Sequence, residues 1–309
     1  MRIAVMGAGG QGGLFGGLLR RAGEDVTLID RGRHLEAIRG RGLTLKPHGK
    51  RALTIRIDAT GSPADVGPVD LLLFCVKTYD IEAAAADAGP LVAERTVILT
   101  VQNGVRAPDR LAEILGVGRV VAGVSYHEGA IEAPGVISYG GVSGKLYLGE
   151  LGGGISSRVE SIRVLLERAG IESEVHPHIR VAMWEKLVLI CATGGVMAYY
   201  RKPVGLILND PQGKALLLVV MQEAEAVARA SGIHLPEHLA ERALAFIEAN
   251  MAPDTKSSQL QDLLAGRRLE LESLNGEVVR LGRDLAITTP HNSLVYEALK
   301  PYAEGRHAL

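Results

Sequence analysis

The first seventeen residues, MRIAVMGAGGQGGLFGG, constrain this chain more than any other stretch. Arg2 to Met6 is a short β-branched and apolar run. Gly7-Ala8-Gly9-Gly10-Gln11-Gly12 follows with the spacing G-x-G-x-x-G, and Leu14, Phe15, Leu18 and Leu19 continue at helical spacing. A buried strand, a glycine turn and a helix, in that order, open a βαβ unit of the kind that binds dinucleotides. In such a unit Gly7 serves the tight turn, Gly9 lets the backbone approach a pyrophosphate, and Gly12 lets the helix pack close to the strand. The turn from Gly7 through Ala8, Gly10 and Gln11 to Gly12 thus reads as a phosphate cradle, its helix-start N–H groups aimed at the anion. A glycine-rich turn without a ligand is the plain alternative in a chain with 38 glycines. Placement between strand and helix is what argues against it.

With 309 residues, 47% of them hydrophobic, the chain has material for about two domains and two packed cores. A net charge of −1 without a basic cluster gives no support for nucleic acid or an anionic membrane as partner. Apolar runs such as Leu71–Val76 and Ala215–Met221 are too short to span a bilayer, so no membrane association is expected. Residues 1–6 read as a core strand rather than a signal peptide. The only cysteines, Cys75 and Cys191, lie in apolar runs and read as reduced core residues of a cytoplasmic protein.

A second strand, Asp25–Ile29, leads to Asp30, near the place where an acidic residue meets the ribose 2′-hydroxyl of NAD. Arg31 and Arg33 follow at once, and guanidinium groups there suit the 2′-phosphate of NADP instead. Both readings stay open, beside a third in which these are solvated turn residues. A helix near His34–Arg39 and a polar hairpin near Leu43–Ile57 come next. Val69–Val76 is continuously apolar, as a central parallel strand buried on both faces should be. It ends in Lys77-Thr78-Tyr79-Asp80, at the sheet edge where open α/β folds bind ligands. Ile81–Ala93 reads as a helix and Thr96–Val101 as a strand that ends in Gln102-Asn103-Gly104-Val105. Strands near Val120–Tyr126, Val136–Tyr139, Lys145–Leu148 and Ile171–Val175, with a helix at Ser157–Ala169, complete an α/β pattern with a mostly parallel sheet.

Beyond residue 178 the period changes to helical, over Val181–Tyr200, Pro211–Ser231, Pro236–Glu248 and Ser257–Ala286. Two domains are therefore expected, residues 1–177 and an all-helical 178–309. Asp210-Pro211 is a helix start and Gly232 a stop. The apolar helices can carry a homodimer interface.

Lys186 has Ala182, Met183, Leu189 and Ile190 as its helical neighbours. A lysine on an apolar stripe either snorkels to an edge or points into a cleft. In a cleft, a partly desolvated ammonium polarises a carbonyl and gives a proton to the developing alkoxide. Glu270 reads as a solvated helix residue, and Ser257 and Ser258 as a helix start with a capping role. Glu174, His176 and His178 alternate but lack a fourth ligand in a proline-containing linker, so no metal site is expected. No nucleophile motif such as G-x-S-x-G is present.

Taken together, these stations resemble the ketopantoate reductases (2-dehydropantoate 2-reductases) along nearly the whole chain. The resemblance rests on GAGGQG, Arg31, Cys75-Val76-Lys77-Thr78-Tyr79-Asp80, Gln102-Asn103-Gly104-Val105, Trp184-Glu185-Lys186-Leu187, Ser257-Ser258-Gln259-Leu260-Gln261-Asp262, and Glu270-Leu271-Glu272-Ser273-Leu274-Asn275-Gly276 in that order. It implies a Rossmann-like domain followed by a helical one, with the active site in the cleft between. It further implies Lys186 as proton donor, Asn103 on cofactor and substrate, Lys77 and Glu270 on the cofactor, and Ser258 on the substrate carboxylate. The implied reaction is hydride transfer from NADPH to a 2-keto acid, by default 2-dehydropantoate, to give (R)-pantoate for pantothenate biosynthesis.

The departures matter too. Where the family's helix places asparagines four and eight residues after the lysine, and a further one ten positions later, this chain has Ile190, Gly194 and Val204. Losing groups that hydrogen-bond a hydroxyl removes discrimination for it, so the acid reduced need not be ketopantoate. An opine-type enzyme that reduces an imine, and a dinucleotide sensor without turnover, are the other readings. A sensor has no need of a proton donor.

Overall fold

The computed structural model describes residues 1–140 and 144–305. Its contacts define two compact units, the first comprising Met1–Gln102 and Arg106–Ile179, the second Asn103–Val105 and the chain from Arg180 onward.

In the first unit, β1 (Arg2–Met6) leads through the glycine turn into α1 (Gly10–Arg21), then β2 (Asp25–Ile29) and α2 (Gly32–Arg41). Next come β3 (Leu43–Pro47), β4 (Leu53–Ile55), β5 (Asp58–Thr60), β6 (Leu71–Phe74), α3 (Ile81–Asp87), β7 (Val97–Thr100) and α4 (Ala107–Leu115). The unit closes with β8 (Val120–Ser125), β9 (Gly129–Ala133), β10 (Val136–Tyr139), β11 (Leu146–Glu150), α5 (Ser157–Arg168) and β12 (Ser173–Val175).

Eight strands form one sheet in the order β12-β11-β8-β7-β6-β1-β2-β5. Every pairing is parallel except β8 with β11. β1 lies between β2 and β6, with Ile3 beside Val26 and Leu71. Because side chains alternate across a strand, Ile3 and Val5 join Leu14, Phe15, Leu18 and Leu19 of α1 in one core. Ala4 and Met6 enter the opposite core with Ile81 and Ala84 of α3 and Leu111 of α4. Helices thus cover both faces, which is why β6 is apolar at every position and Leu71 to Phe74 are all fully buried. Truncating one of them, as in Leu73→Ala, costs about 2–5 kcal/mol, a large part of a typical net stability of about 5–15 kcal/mol.

A second sheet, ordered β4-β3-β10-β9, packs on the outer side of α1. A Cβ on Gly13 would stand 2.9 Å from Ile137, one on Gly17 3.0 Å from Leu43, and one on Gly10 2.0 Å from the Gly129 carbonyl oxygen. On the other side, a Cβ on Gly12 would stand 2.0 Å from the Gly7 carbonyl and one on Gly16 2.6 Å from Leu28. Helix α1 is therefore layered between two sheets. The sequence predicts the β3–β4 hairpin and β10 but not this sheet. Four of the five β9 residues are exposed, so its pattern lacks the alternation that marks a half-buried strand.

The second unit is helical: α6 (Ile179–Tyr200), whose first residue belongs to the first unit, then α7 (Val204–Leu208), α8 (Pro211–Ala230), α9 (Leu239–Asn250), α10 (Ser258–Leu264), α11 (Asn275–Asp284) and α12 (Pro290–Leu299). Asp210 caps α8 by accepting from the Gln212 N–H at 3.1 Å. A buried polar network fastens four helices. Asn275 donates to the Cys191 carbonyl and to Asn292, and Asn292 donates to Glu223 and to the Val220 carbonyl.

Two expectations are corrected. The helical period over Ser257–Ala286 does not make one helix: the chain breaks after α10 at Gly266, whose φ is +61°, and resumes through a 3₁₀ turn at Leu271–Ser273 before α11. The apolar runs are also not all too short for a bilayer. Helix α6 has 22 residues, and an 18-residue window within it reaches a mean hydropathy of 1.5, enough to cross by length and composition. With 72% of its apolar window buried inside the protein, it is a core helix.

Candidate active site

The glycine turn follows from the backbone demands of its neighbours. Gly7 has φ +90°, a region that side chains with a Cβ rarely adopt, and a Cβ there would stand 2.9 Å from the Val76 nitrogen. Its N–H donates to the Ile29 carbonyl at 2.9 Å, which ties the turn to the end of β2. Gly9 is the N-cap of α1, and a Cβ at Gly9 would meet nothing within 4 Å. The backbone is therefore open to a ligand at Gly9 and closed by packing at Gly7, Gly10 and Gly12. The first-turn N–H groups of α1 have no partner within the helix, and they fit an anion. Ala8 is buried, its carbonyl lies 3.1 Å from the His34 ring, and the Gln11 amide donates to the His127 carbonyl at 3.3 Å.

At the carboxyl end of β2, Asp30 accepts from the Arg31 N–H at 2.7 Å. The Arg31 guanidinium is 85% exposed and pairs with Asp80 at 2.9 Å. Asp80 ends the 3₁₀ turn Thr78–Asp80, for which Lys77 is the N-cap, so Arg31 and Lys77 flank the same sheet edge. Nearby, the Gln102 amide donates to the Val76 carbonyl at 2.8 Å and accepts from Thr100 at 2.9 Å. That bond anchors the end of β7 one residue before Asn103.

In the second unit, Lys186 Nζ donates to Asn103 Oδ1 at 2.8 Å. Burial drives the Lys186 ammonium down from the ordinary 10.5 to about 8, and the Glu270 carboxylate opposes that shift. Glu270 is itself buried at 9% exposure, just before the Leu271–Ser273 turn. A Cβ on Gly104 (φ +87°) would stand 2.7 Å from the Ser273 carbonyl, so the Asn103–Val105 loop sits directly against that turn. Lysine, asparagine and glutamate are thereby brought together from positions 186, 103 and 270. Of the two directions open to this lysine, the inward one holds.

Ser258 is the exposed first residue of α10, and Ser257 caps the helix by accepting from the Leu260 N–H at 3.2 Å. Glu174 pairs with Lys145 at 2.6 Å, and His176 accepts from the His178 N–H at 3.1 Å. Burial pushes the Cys75 and Cys191 thiols up to about 12, which leaves neither a nucleophile near neutral pH. Ile190 is half-buried, while Gly194 and Val204 are buried. One polar residue escapes the sequence reading: Gln259, 3% exposed, beside Gly194. Its signal is its place four residues before the buried Leu263, on the apolar side of α10.

A doubly wound sheet opened by a glycine turn, joined to a helical unit that holds a desolvated lysine, defines a dinucleotide-dependent reductase. The family profile described as ketopantoate reductase PanE/ApbA matches residues 3–153, and its C-terminal counterpart matches residues 178–303. The chain belongs to the ketopantoate reductase family. It is 32% identical to a 2-dehydropantoate 2-reductase of Pyrococcus horikoshii over 97% of each chain. It is 33% identical to one of Halobacterium salinarum over 94% of this chain and 95% of that one. Among solved structures, a PanE/ApbA family ketopantoate reductase of Ralstonia eutropha aligns with a TM-score of 0.91 at 33% identity, covering 99% of this chain and all of that one.

Proposed function

We propose that the chain reduces a 2-keto acid, by default 2-dehydropantoate to (R)-pantoate, with NADPH as the reductant and Lys186 as the proton donor. The observation that carries this reading is the Lys186–Asn103 bond of 2.8 Å in a desolvated site that Glu270 also influences. When bound, the nicotinamide cofactor supplies the hydride. The Gly7–Gly12 turn and the first N–H groups of α1 would hold its pyrophosphate. Arg31 would hold a 2′-phosphate, and Lys77 and Glu270 would contact the cofactor further along. Asp30 already accepts from the Arg31 N–H, so the residue that would favour NAD is partly engaged.

The chemistry of the lysine follows from its surroundings. With a pKa of about 8 the ammonium is mostly protonated at neutral pH yet gives its proton up readily, which suits a general acid. Asn103 Oδ1 fixes the direction of Nζ, and the Glu270 carboxylate keeps the proton on it until the keto oxygen gains charge. Ser258 is the assigned partner of the substrate carboxylate.

A second reading, a more apolar keto acid or an imine formed from one, is favoured by Ile190, Gly194 and the fully buried Val204. The test is NADPH oxidation against a panel of 2-keto acids, with and without amines, in wild type and Lys186→Ala. Loss of general acid catalysis should lower turnover about 10²–10⁴-fold. Turnover that survives within tenfold removes Lys186 from the role, and no turnover with any acceptor favours a sensor.

A further inference from the structure

Gln259 is the strongest unexplained group in the helical unit. Its side chain is 3% exposed, and neither its amide nitrogen nor its amide oxygen has a hydrogen-bond partner among the described residues. A primary amide offers two donors and two acceptor lone pairs. Leaving a buried polar group unpaired forfeits its bonds to water without replacement, so native interiors rarely do so without a reason. The surroundings offer no remedy. A Cβ on Gly194 would stand 3.8 Å from the Gln259 Cβ, 4.0 Å from its Oε1 and 3.6 Å from Leu274 Cδ1. Gln259 and Leu274 therefore both border Gly194, and neither the glycine nor the leucine has a side-chain group that could pair with the amide.

Gly194 is not an arbitrary neighbour. Lys186, Ile190 and Gly194 are spaced by four along α6 and form one stripe. Gly194 lies about 12 Å further along the helix axis than Lys186. A lysine ammonium on the carbonyl at one end and the tail of a short keto acid at the other can fill that span together. Of the two residues that follow the lysine on this stripe, one is apolar and one has no side chain. The polar group at this end of the stripe comes from a different helix, α10.

We propose that Gln259 is a specificity-determining residue whose amide hydrogen-bonds a hydroxyl on the tail of the bound 2-keto or 2-hydroxy acid, beside Gly194, where the helix that carries Lys186 has no side chain of its own. This inference rests on the reading of Lys186 as the reducing end of the site. A ligand hydroxyl would satisfy both the donor and the acceptor side of the amide. A ligand that lacks the hydroxyl would leave the amide as unpaired as it is now, which is how a buried polar group rejects an apolar analogue.

The test compares two acids of the same shape, ketopantoate and trimethylpyruvate, which is ketopantoate with its hydroxyl group replaced by hydrogen. Binding of each to wild type, Gln259→Met and Gln259→Leu is measured by titration calorimetry, without reliance on turnover. Wild type should bind the hydroxylated acid more tightly. Either variant should lower that ratio about 10- to 100-fold, mainly by weakening ketopantoate, since a missing hydrogen-bond partner is worth about 1–3 kcal/mol. Both variants should also melt at a higher temperature than wild type without ligand, because an unpaired amide has been removed. A ratio unchanged within twofold overturns the proposal, even if the melting temperature rises, because the amide would then serve packing or an internal water alone. Failure of wild type to bind either acid also overturns it. Wild-type turnover with the same two acids is scored separately: binding with the expected ratio but without turnover defeats the reductase reading and leaves Gln259 as the selector.

Discussion

Replacing Lys186 by methionine should make the ligand-free protein gain stability relative to wild type at neutral pH while it loses the reaction. The displacement of the ammonium from 10.5 to about 8 corresponds to roughly 3.4 kcal/mol at 1.36 kcal/mol per pH unit. Burial is the larger cause, and Glu270 pulls the other way. Below about pH 8 the lysine is protonated in the folded and unfolded chain alike, so the whole penalty is present. Between about 8 and 10.5 the unfolded chain binds more protons than the folded one, and wild-type stability rises with pH for that reason. Lys186→Met has neither the penalty nor the rise. Its lead over wild type should therefore shrink by about 1.4 kcal/mol per pH unit across that window. While the lysine is charged, the lost bond to Asn103 lowers the lead by about 1.5–3 kcal/mol, which leaves roughly zero to two at pH 7. Urea unfolding at pH 7.5, 8.5, 9.5 and 10.5 measures the difference. Trp184, the only tryptophan, is buried on α6 two residues before the lysine and reports on this helix by fluorescence. A difference that stays flat from pH 7.5 to 10.5 would refute the desolvation argument, because the other titrating groups are shared by both proteins.

Three further outcomes follow. Gly12→Ala places a Cβ 2.0 Å from the Gly7 carbonyl oxygen, so dinucleotide affinity measured by fluorescence titration should fall at least tenfold and the melting temperature should drop. Arg31→Ala should raise the KM for NADPH about tenfold, the worth of about 1.4 kcal/mol, with little effect on NADH, and an equal effect on both removes Arg31 from the 2′-phosphate. Asn275→Ala should cost about 2–3 kcal/mol in urea unfolding, because it strands the Cys191 carbonyl and the Asn292 side-chain oxygen in the core.

What the sequence makes legible is local. The β1–turn–α1 order, the apolar run of β6 and the Asp210-Pro211 start of α8 are written in adjacent residues whose causes are adjacent too. The direction of Lys186 is not. Its helical neighbours allow either an edge or a cleft, and the groups that decide are Asn103 and Glu270, each more than 80 residues away in the chain. The small sheet is hidden for the same reason: β10 pairs with β3 across some ninety residues, and exposed β9 carries no apolar signature. The break after α10 is obscured because helical spacing of apolar residues continues across Gly266 and into α11. Gln259 is concealed by its chemistry, since a glutamine beside a helix start reads as a surface residue.

Helix α1 places five glycines in twelve residues. Relative to alanine, glycine weakens a helix by about 0.8–1.0 kcal/mol per residue, or roughly 4–5 kcal/mol here. As an isolated segment it would not hold a helical shape. Its two glycine stripes exist so that a sheet can press on either side, and those sheets are what keep it helical. In kinetic terms α1 is then expected to form late. Alanine at Gly13 or Gly17 should leave the folding rate nearly unchanged and speed unfolding. On that expectation, the turn between β1 and α1 should gain its final form only after both sheets have closed around the helix behind it.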